Sequence, residues 1–154
     1  MSVYCVHCVE LNNATNARNA ITQVTQLAMK VERFEDLECW KEARKLVKMV
    51  YDAVNSNERF GKDYRLRDQA TAAAVSTMSN IAEGFSRHTC REFIQFLYIS
   101  KSSAAEVQSI FYVALDQRYV DQETFNAIYA QADKVSKIDS GLIKYLTSQL
   151  HKRK

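Results

Sequence analysis

Histidine and cysteine are the side chains best suited to hold a metal or catalyse a reaction, and this chain has three histidines and four cysteines. His7, His88 and His151 do not follow a glutamate at the Glu-x-x-His spacing of di-iron bundles. The segment 5–8, Cys-Val-His-Cys, has the spacing of one of the two ligand pairs of a zinc ribbon. The other two cysteines, Cys39 and Cys90, are far apart in the sequence and do not supply the second pair. The sequence also lacks a glycine-rich phosphate loop and a nucleophile elbow. We therefore expect a protein without metal, cofactor or enzymatic activity.

The segment 79–87, Ser-Asn-Ile-Ala-Glu-Gly-Phe-Ser-Arg, is the most specific-looking stretch of the sequence. Asn80 and Glu83 lie one turn apart on the same helix face, near the end of that helix. A carboxylate is unfavourable there unless a cation pairs with it, and Arg87 and Arg91 are the nearest cations. Two interpretations stay open: a ligand site, and a structural tie that caps or holds the start of the next helix. We favour the structural tie.

Small basic clusters are the remaining groups that could bind a partner. Each would ordinarily form a solvated surface, but repetition around a symmetric oligomer would build a ring that binds a phosphate backbone. The candidates for nucleic-acid binding are Arg44, Lys48, Arg65, Arg67, Arg87, Arg91, Lys152 and Arg153.

Composition narrows the fold before any element is placed. The 154 residues include no proline and three glycines, which argues against sandwiches, barrels and βαβ folds because these need frequent tight turns. A hydrophobic fraction of 47% excludes wholesale disorder, and a net charge of +3 is mild for a dedicated nucleic-acid binder. The sequence has neither an apolar run of about 18 residues nor a signal peptide, so we expect a cytoplasmic protein that does not engage a membrane.

Apolar residues at spacings of three and four predict four helices. Asp63 is the expected N-cap of the second helix and Gly84 its C′ residue. Thr89 and Glu92 form a capping box at the start of the third. Long helices with short connections predict an all-α, antiparallel up-down-up-down four-helix bundle. In chain order the helices cover about residues 34–55, 63–84, 89–118 and 121 onward.

The helical stripes predict which side chains are buried. The stripe of the fourth helix is interrupted by Asp139, and Gly141 follows at a cost of about 1 kcal/mol relative to alanine. We expect a neighbouring helix or subunit to approach closely there. The expected stripe of the first helix is Leu37, Trp40, Ala43, Val47, Val50 and Val54.

The third helix is apolar on more than one face. Phe111 belongs to its stripe, whereas Tyr98, Ile99 and Tyr112 lie off it. A bundle of this size covers such a surface most economically with another subunit. We therefore expect a homo-oligomer.

Residues 1–28 differ from the rest because they are rich in Asn and Thr and carry no net charge. Since Met29 precedes the first patterned segment, they form either an N-terminal extension or translated leader, or an ordinary N-terminal helix over about 14–29. We divide the chain into an extension, 1–28, and a bundle, 29–154.

From about Val31 to Leu150 the chain resembles the four-helix bundle family of 23S rRNA-intervening sequence proteins. The matching pieces cover three helices in the right order, and their joint occurrence is far more specific than any one piece. They are Phe34–Leu37 with Trp40 and Ala43; Asp63, Leu66 and Gln69; Ser79–Gly84 with Arg87; Glu92-Phe93 with Phe96-Leu97; and Ser103 with Glu106.

Two positions depart from the family pattern: Arg59 stands where a proline is usual, and Ser102 where a glycine is common. The resemblance implies an antiparallel bundle, a ring-like pentamer, and a genetic setting in rRNA intervening sequences or near mobile elements. It also implies a structural role for Trp40, Asn80, Glu83, Gly84 and Glu106. The architecture is similar to accessory proteins of diversity-generating retroelements, which form pentameric barrels and bind nucleic acid and a reverse transcriptase.

Two functions follow as hypotheses. The first is a non-enzymatic, homo-oligomeric bundle that binds RNA or DNA through basic surface, as an accessory factor to a reverse transcriptase or mobile element. The second is a protein-interaction scaffold without nucleic-acid affinity.

Overall fold

The computed structural model describes residues 31–152, and this range contains helices and turns but no strand. The predicted all-α helical bundle is confirmed. The predicted extension, 1–28, lies outside the described residues. After a 3₁₀ turn at Phe34–Asp36, the helices are α1 (Glu38–Ser56), α2 (Glu58–Lys62), α3 (Tyr64–Phe85), α4 (Cys90–Asp116) and α5 (Gln122–Lys152).

Side-chain caps fix where α3, α4 and α5 begin. Asp63, Thr89 and Asp121 each accept a hydrogen bond from the backbone N–H three residues on, at 3.1, 3.2 and 2.7 Å. The Thr89 hydroxyl also donates to the Glu92 carboxylate at 2.8 Å, so this capping box closes through side chains. All three predicted helix starts are confirmed.

The four long helices pack in a closed order. α3 contacts α4, α4 contacts α5, and α1 contacts both α3 and α5. α1 therefore lies diagonally across the bundle from α4. Ser76 bonds Ser103 at 2.9 Å while Phe85 packs edge-on against Phe93, so α3 and α4 run antiparallel. The same sense holds between α4 and α5, where the contacts are Ser100 with Asp139 and Gln108 with Tyr129.

Two apolar clusters form the core. One lies toward α2 and includes Phe60 and Phe111; the other lies toward the α3–α4 turn and includes Ile81 and Leu97. The buried polar residues lie between or beside the two apolar clusters, so the middle of the bundle is more polar than its ends. These residues are Glu42, Thr77, Ser100, Ser103 and Asp139.

The three glycines differ from their predicted roles. α3 continues to Phe85, so Gly84 is a helical residue and not a C′ residue, and its φ is negative. A Cβ on Gly84 would lie 2.6 Å from the Phe96 Cβ, which explains the glycine by close helix approach. Gly61 belongs to α2 and not to a loop. Nothing among residues 31–152 lies within 4 Å of a Cβ built on Gly141, so none of the described helices makes the predicted close approach.

Membrane insertion has no support from the described helices. Between residues 31 and 152, no helix is both long enough and apolar enough to cross a bilayer.

Candidate nucleic-acid interface

The predicted cations do not come together in one site. Because α3 has 22 residues and is about 33 Å long, the cations at its two ends lie far apart. The side chain of Lys152 and all of Arg153 lie outside the described residues. The others are Arg65 and Arg67 in the first turn of α3, Arg87 and Arg91 around the α3–α4 turn, and Arg44 and Lys48 along α1.

Several of these cations are already paired with carboxylates. Arg67 is further occupied, because its guanidinium lies 4.8 Å from the Tyr64 ring centroid and donates to the Gly61 carbonyl. Arg65 and Arg91 are exposed and have no ion-pair partner among residues 31–152. The pairs are Lys48 with Asp52, Arg67 with Asp68, and Arg87 with Glu83.

One helix does present a continuous basic face. Lys41, Arg44, Lys45 and Lys48 recur at i, i+3, i+4 and i+7 on α1, and all four are exposed. They cover about 10 Å of helix. We call these four residues the basic face. The sequence candidates included Arg44 and Lys48 but missed Lys41, although its spacing of three from Arg44 was a readable signal.

The basic face borders an open groove of about 620 Å³ that also contains Trp40, Glu35 and Glu38. Trp40 is half-buried, and the Phe34 ring packs edge-on against it at a centroid distance of 5.2 Å. The Arg44 guanidinium lies over the indole, 5.8 Å from its centroid. We call this depression the α1 groove. It combines an aromatic surface with cations, as sites for nucleic-acid strands do.

A buried carboxylate organises part of the basic face. Glu42 accepts from Lys45 at 2.5 Å and from Gln131 at 2.8 Å, and pairs with Lys134 at 2.9 Å. The bond from Gln131, followed by those from the two lysines, lowers the Glu42 pKa to about 2. Glu42 therefore neutralises part of the Lys45 charge.

Two cations of the basic face remain available. Within the described part of the chain, neither Lys41 nor Arg44 has a carboxylate within ion-pair distance. They are consequently the groove residues best placed to meet an external anion.

The side chains of residues 79–87 make their contacts at the end of α3 and around the α3–α4 turn. Arg87 pairs with Glu83, as expected, and lies 4.7 Å from the Phe96 ring centroid. Asn80 donates to the Ser76 carbonyl at 2.7 Å and to its hydroxyl oxygen at 3.0 Å. Neither Asn80 nor Glu83 caps α4, so that detail of the expected tie is wrong. These contacts lie within the end of α3 and its turn, and the structural tie stays the favoured interpretation.

A second surface, on the outer side of α4, is poor in charge. Of its exposed residues between Phe93 and Leu115, Glu106 alone carries a charge. We call this surface the apolar face. Its large members are Tyr98, 50% exposed, Ile99, 45%, Tyr112, 52%, and Val113, 44%, beside Val75 on α3, 37%.

The bundle interior holds one buried acid without full hydrogen bonding. Asp139 is fully buried, and its Oδ2 accepts from the Ser100 hydroxyl at 2.7 Å. Among residues 31–152, nothing donates to its Oδ1. Burial raises the Asp139 pKa to about 6, and burial with the adjacent carboxylate raises the pKa of the Cys39 thiol. In the same range, no three His, Cys, Asp or Glu side chains are grouped to hold a metal.

Comparison with known proteins identifies the family. A sequence model described as 23S rRNA-intervening sequence protein matches residues 35–141. The chain belongs to this family. The match includes α1 to α4, the α1 groove and the 79–87 segment, and the resemblance drawn from the sequence is confirmed.

A solved structure of similar fold supports the helical bundle. It is a crystal structure of a protein with unknown function from the S23 ribosomal protein family of Bacteroides thetaiotaomicron. The two chains are 22% identical with a TM-score of 0.59, and the likeness covers 69% of this chain and 94% of that chain. No curated protein matches the chain.

Proposed function

We propose that this family member is a non-enzymatic homo-oligomer that assembles through the apolar face and binds RNA or DNA through the α1 groove. The observation that carries the proposal is the diagonal placement of the two surfaces. Because α1 and α4 lie across the bundle from each other, assembly through α4 leaves the basic face directed outward.

The groove supports nucleic-acid binding through local charge. Four cations within about 10 Å of helix are a dense cluster, although the whole chain carries only +3. Phosphate contacts dominate affinity for nucleic acids, and each one adds to the salt dependence of binding. Lys41 and Arg44 are free to make such contacts, and Trp40 adds an aromatic surface beside them.

The apolar face supports self-association. Tyr98 with Ile99, and Tyr112 with Val113, form two half-exposed apolar pairs about 20 Å apart on the outer side of α4, and exposed apolar side chains that share one side mark interaction surfaces. We propose a pentamer on the family resemblance. Assembly would raise the charge from +3 to +15, and so would multiply the modest basic face.

The genetic setting supports a role beside RNA or mobile DNA. The family description names 23S rRNA intervening sequences. With the similarity of architecture to retroelement accessory proteins, we propose an accessory factor to a reverse transcriptase or mobile element, acting in the cytoplasm.

A salt-dependent gel shift with structured RNA and duplex DNA, together with the native mass, tests the proposal. We expect binding whose logarithm falls linearly with the logarithm of salt concentration. Removing both Lys41 and Arg44 by alanine should lower that slope by about 2 per bound groove. A matched variant lacking Lys62 and Lys137 loses the same charge elsewhere and should keep the slope. Absence of binding even at low ionic strength would end the nucleic-acid proposal.

The alternative is a protein-binding scaffold. It is favoured by the internal ion pairs, because these already engage Lys45, Lys48 and Arg87. An assembled protein that retains neither RNA nor DNA would support the scaffold. A charge reversal of Arg87 and Arg91 tests the other predicted location, because loss of binding with intact helicity would place the interface at the α3–α4 turn.

A further inference from the structure

We infer that the α1 groove takes a single strand of nucleic acid, with one unpaired base stacked on Trp40. This inference rests on the proposed function and names the class of substrate for that same site. Three features of the groove point to a single strand: the seating of the indole, the position of two carboxylates, and the length of the basic face.

Trp40 is seated as a stacking platform. Phe34 packs against it in a T-shaped contact, with an interplanar angle of 63°, and does not stack on the indole. The planar Arg44 guanidinium already lies over the ring at 5.8 Å. A base can enter at that place, because aromatic rings and guanidinium groups both stack on the faces of bases. Arg44 is then released toward a phosphate.

The two carboxylates favour a base over a backbone. Glu35 and Glu38 line the groove beside Trp40, and Arg33 holds Glu35 through an ion pair of 2.5 Å. Glu35 is neutralised by Arg33, but the charge of Glu38 repels phosphates, so a backbone is disfavoured beside the indole. Carboxylates do accept hydrogen bonds from exocyclic amino groups, as in contacts to cytosine N4. A base turned out of the strand can stack on the Trp40 indole and also donate a hydrogen bond to Glu35 or Glu38.

The basic face fits a short strand. Lys41 to Lys48 covers about 10 Å along α1. Phosphates of one stacked strand rise about 3.4 Å each, so the basic face is long enough for roughly three of them, with Lys41 and Arg44 free to pair. The strand would follow the cations while one base turns toward Trp40. In a duplex that base stays inside the stack, out of reach of a half-buried ring.

Fluorescence titration provides the test, because Trp40 is the chain's only tryptophan. The full chain is titrated with a short single strand of mixed sequence, as RNA and as DNA, and with the duplex of each. We expect the single strand to quench the indole emission and to bind more tightly than the duplex. Equal affinity for both, with emission unchanged, overturns the stacking inference and leaves nucleic-acid binding standing. Failure to bind either overturns both proposals.

Two variants separate stacking from charge. Trp40→Leu should weaken single-strand binding by roughly five- to 150-fold, the range for one base–aromatic stack, with the salt slope unchanged. Trp40→Phe keeps an aromatic ring in the same packing and should recover most of the affinity. The alanine variant of Lys41 and Arg44 should instead lower the slope. If Trp40→Phe binds as weakly as Trp40→Leu while both keep wild-type helicity, the indole does not act by stacking.

Discussion

Two glycines lie in long helices, and replacing each by alanine should change the free energy of unfolding in opposite directions. Gly84 lies in α3 against α4, and an added Cβ would stand 2.6 Å from the Phe96 Cβ and 2.8 Å from Phe93 Cδ2. Gly141 lies in α5, is exposed, and has open space where its Cβ would be. Both residues carry the same intrinsic penalty of a helical glycine, so the difference between the two variants reports packing alone.

The magnitudes follow from these contacts. Gly141→Ala should gain about 1 kcal/mol of unfolding free energy through helix propensity. Gly84→Ala gains the same amount but must separate α3 and α4 by about 1 Å, since carbon atoms pack at about 3.5–4.0 Å. Phe96 Cβ is attached to the backbone and cannot rotate away. Overpacking costs about 1–3 kcal/mol, so after the gain in helix propensity we expect a net loss of up to about 2 kcal/mol.

Thermal and urea unfolding of the two variants measure this difference. For a chain of this length, the midpoint should rise by about 2–4 °C in Gly141→Ala and fall by up to about twice that amount in Gly84→Ala. Native mass serves as a control, because a subunit seated at Gly141 would make its alanine variant dissociate. If both variants gain stability equally in an unchanged assembly, α3 and α4 do not approach as closely as described.

Three further predictions concern buried acids and the groove. The folded chain holds Asp139 at a pKa of about 6, above its ordinary 3.8, so stability should rise as pH falls from 7 to 4. Asp139→Asn should remove this dependence and be more stable at pH 7, by on the order of 3 kcal/mol, in urea unfolding across pH. The pH dependence of stability that comes from Glu42 runs in the opposite direction, because its pKa is lowered from 4.5 to about 2. Glu42→Gln should be less stable at pH 7, with the deficit closing as pH falls from 4.5 to 2 in the same assay. Trp40→Leu should leave the salt slope of nucleic-acid binding intact, whereas losing Lys41 and Arg44 should lower it, as gel shifts at several salt concentrations would show.

The fold was predictable because its determinants are local. Helix starts at Asp63, Thr89 and Asp121 are set by side chains that bond their own next turn, and such signals stand in the sequence. The expected interruption at Asp139 is real, and its partner Ser100 is a polar residue on the buried side of α4. Two polar residues in opposing stripes are thus a readable sign of a buried polar contact.

The stripe of α1 was only partly right, because this helix contacts two neighbours. Trp40 and Val47 are half-buried, whereas Cys39 and Leu46 are buried. Packing against both α3 and α5 widens the buried face beyond a single stripe. Glu42 was missed as well, since its burial depends on Lys134 and Gln131, which come about ninety residues later in the chain.

The candidate site was less predictable than the fold, because cations were judged by clustering along the sequence. Pairing decides which of them can bind, and pairing depends on neighbours in space. Lys48 and Arg87 are engaged by carboxylates, whereas Lys41, which was not a candidate, is not. The carboxylates beside Trp40 likewise come from the 3₁₀ turn and the first turn of α1, and only folding sets them around one groove.

The separation of the two faces also makes assembly and binding independently measurable. A substitution at Tyr112, on the outer side of α4, does not touch the α1 groove, because α1 and α4 lie diagonally apart. A Tyr112 variant that dissociates the oligomer therefore leaves each groove intact. Linked sites raise apparent affinity by making later contacts intramolecular, so any affinity lost in such a variant measures that multivalent contribution alone. If a monomeric variant keeps full affinity with the same salt slope, each bundle binds on its own and the ring contributes nothing to binding.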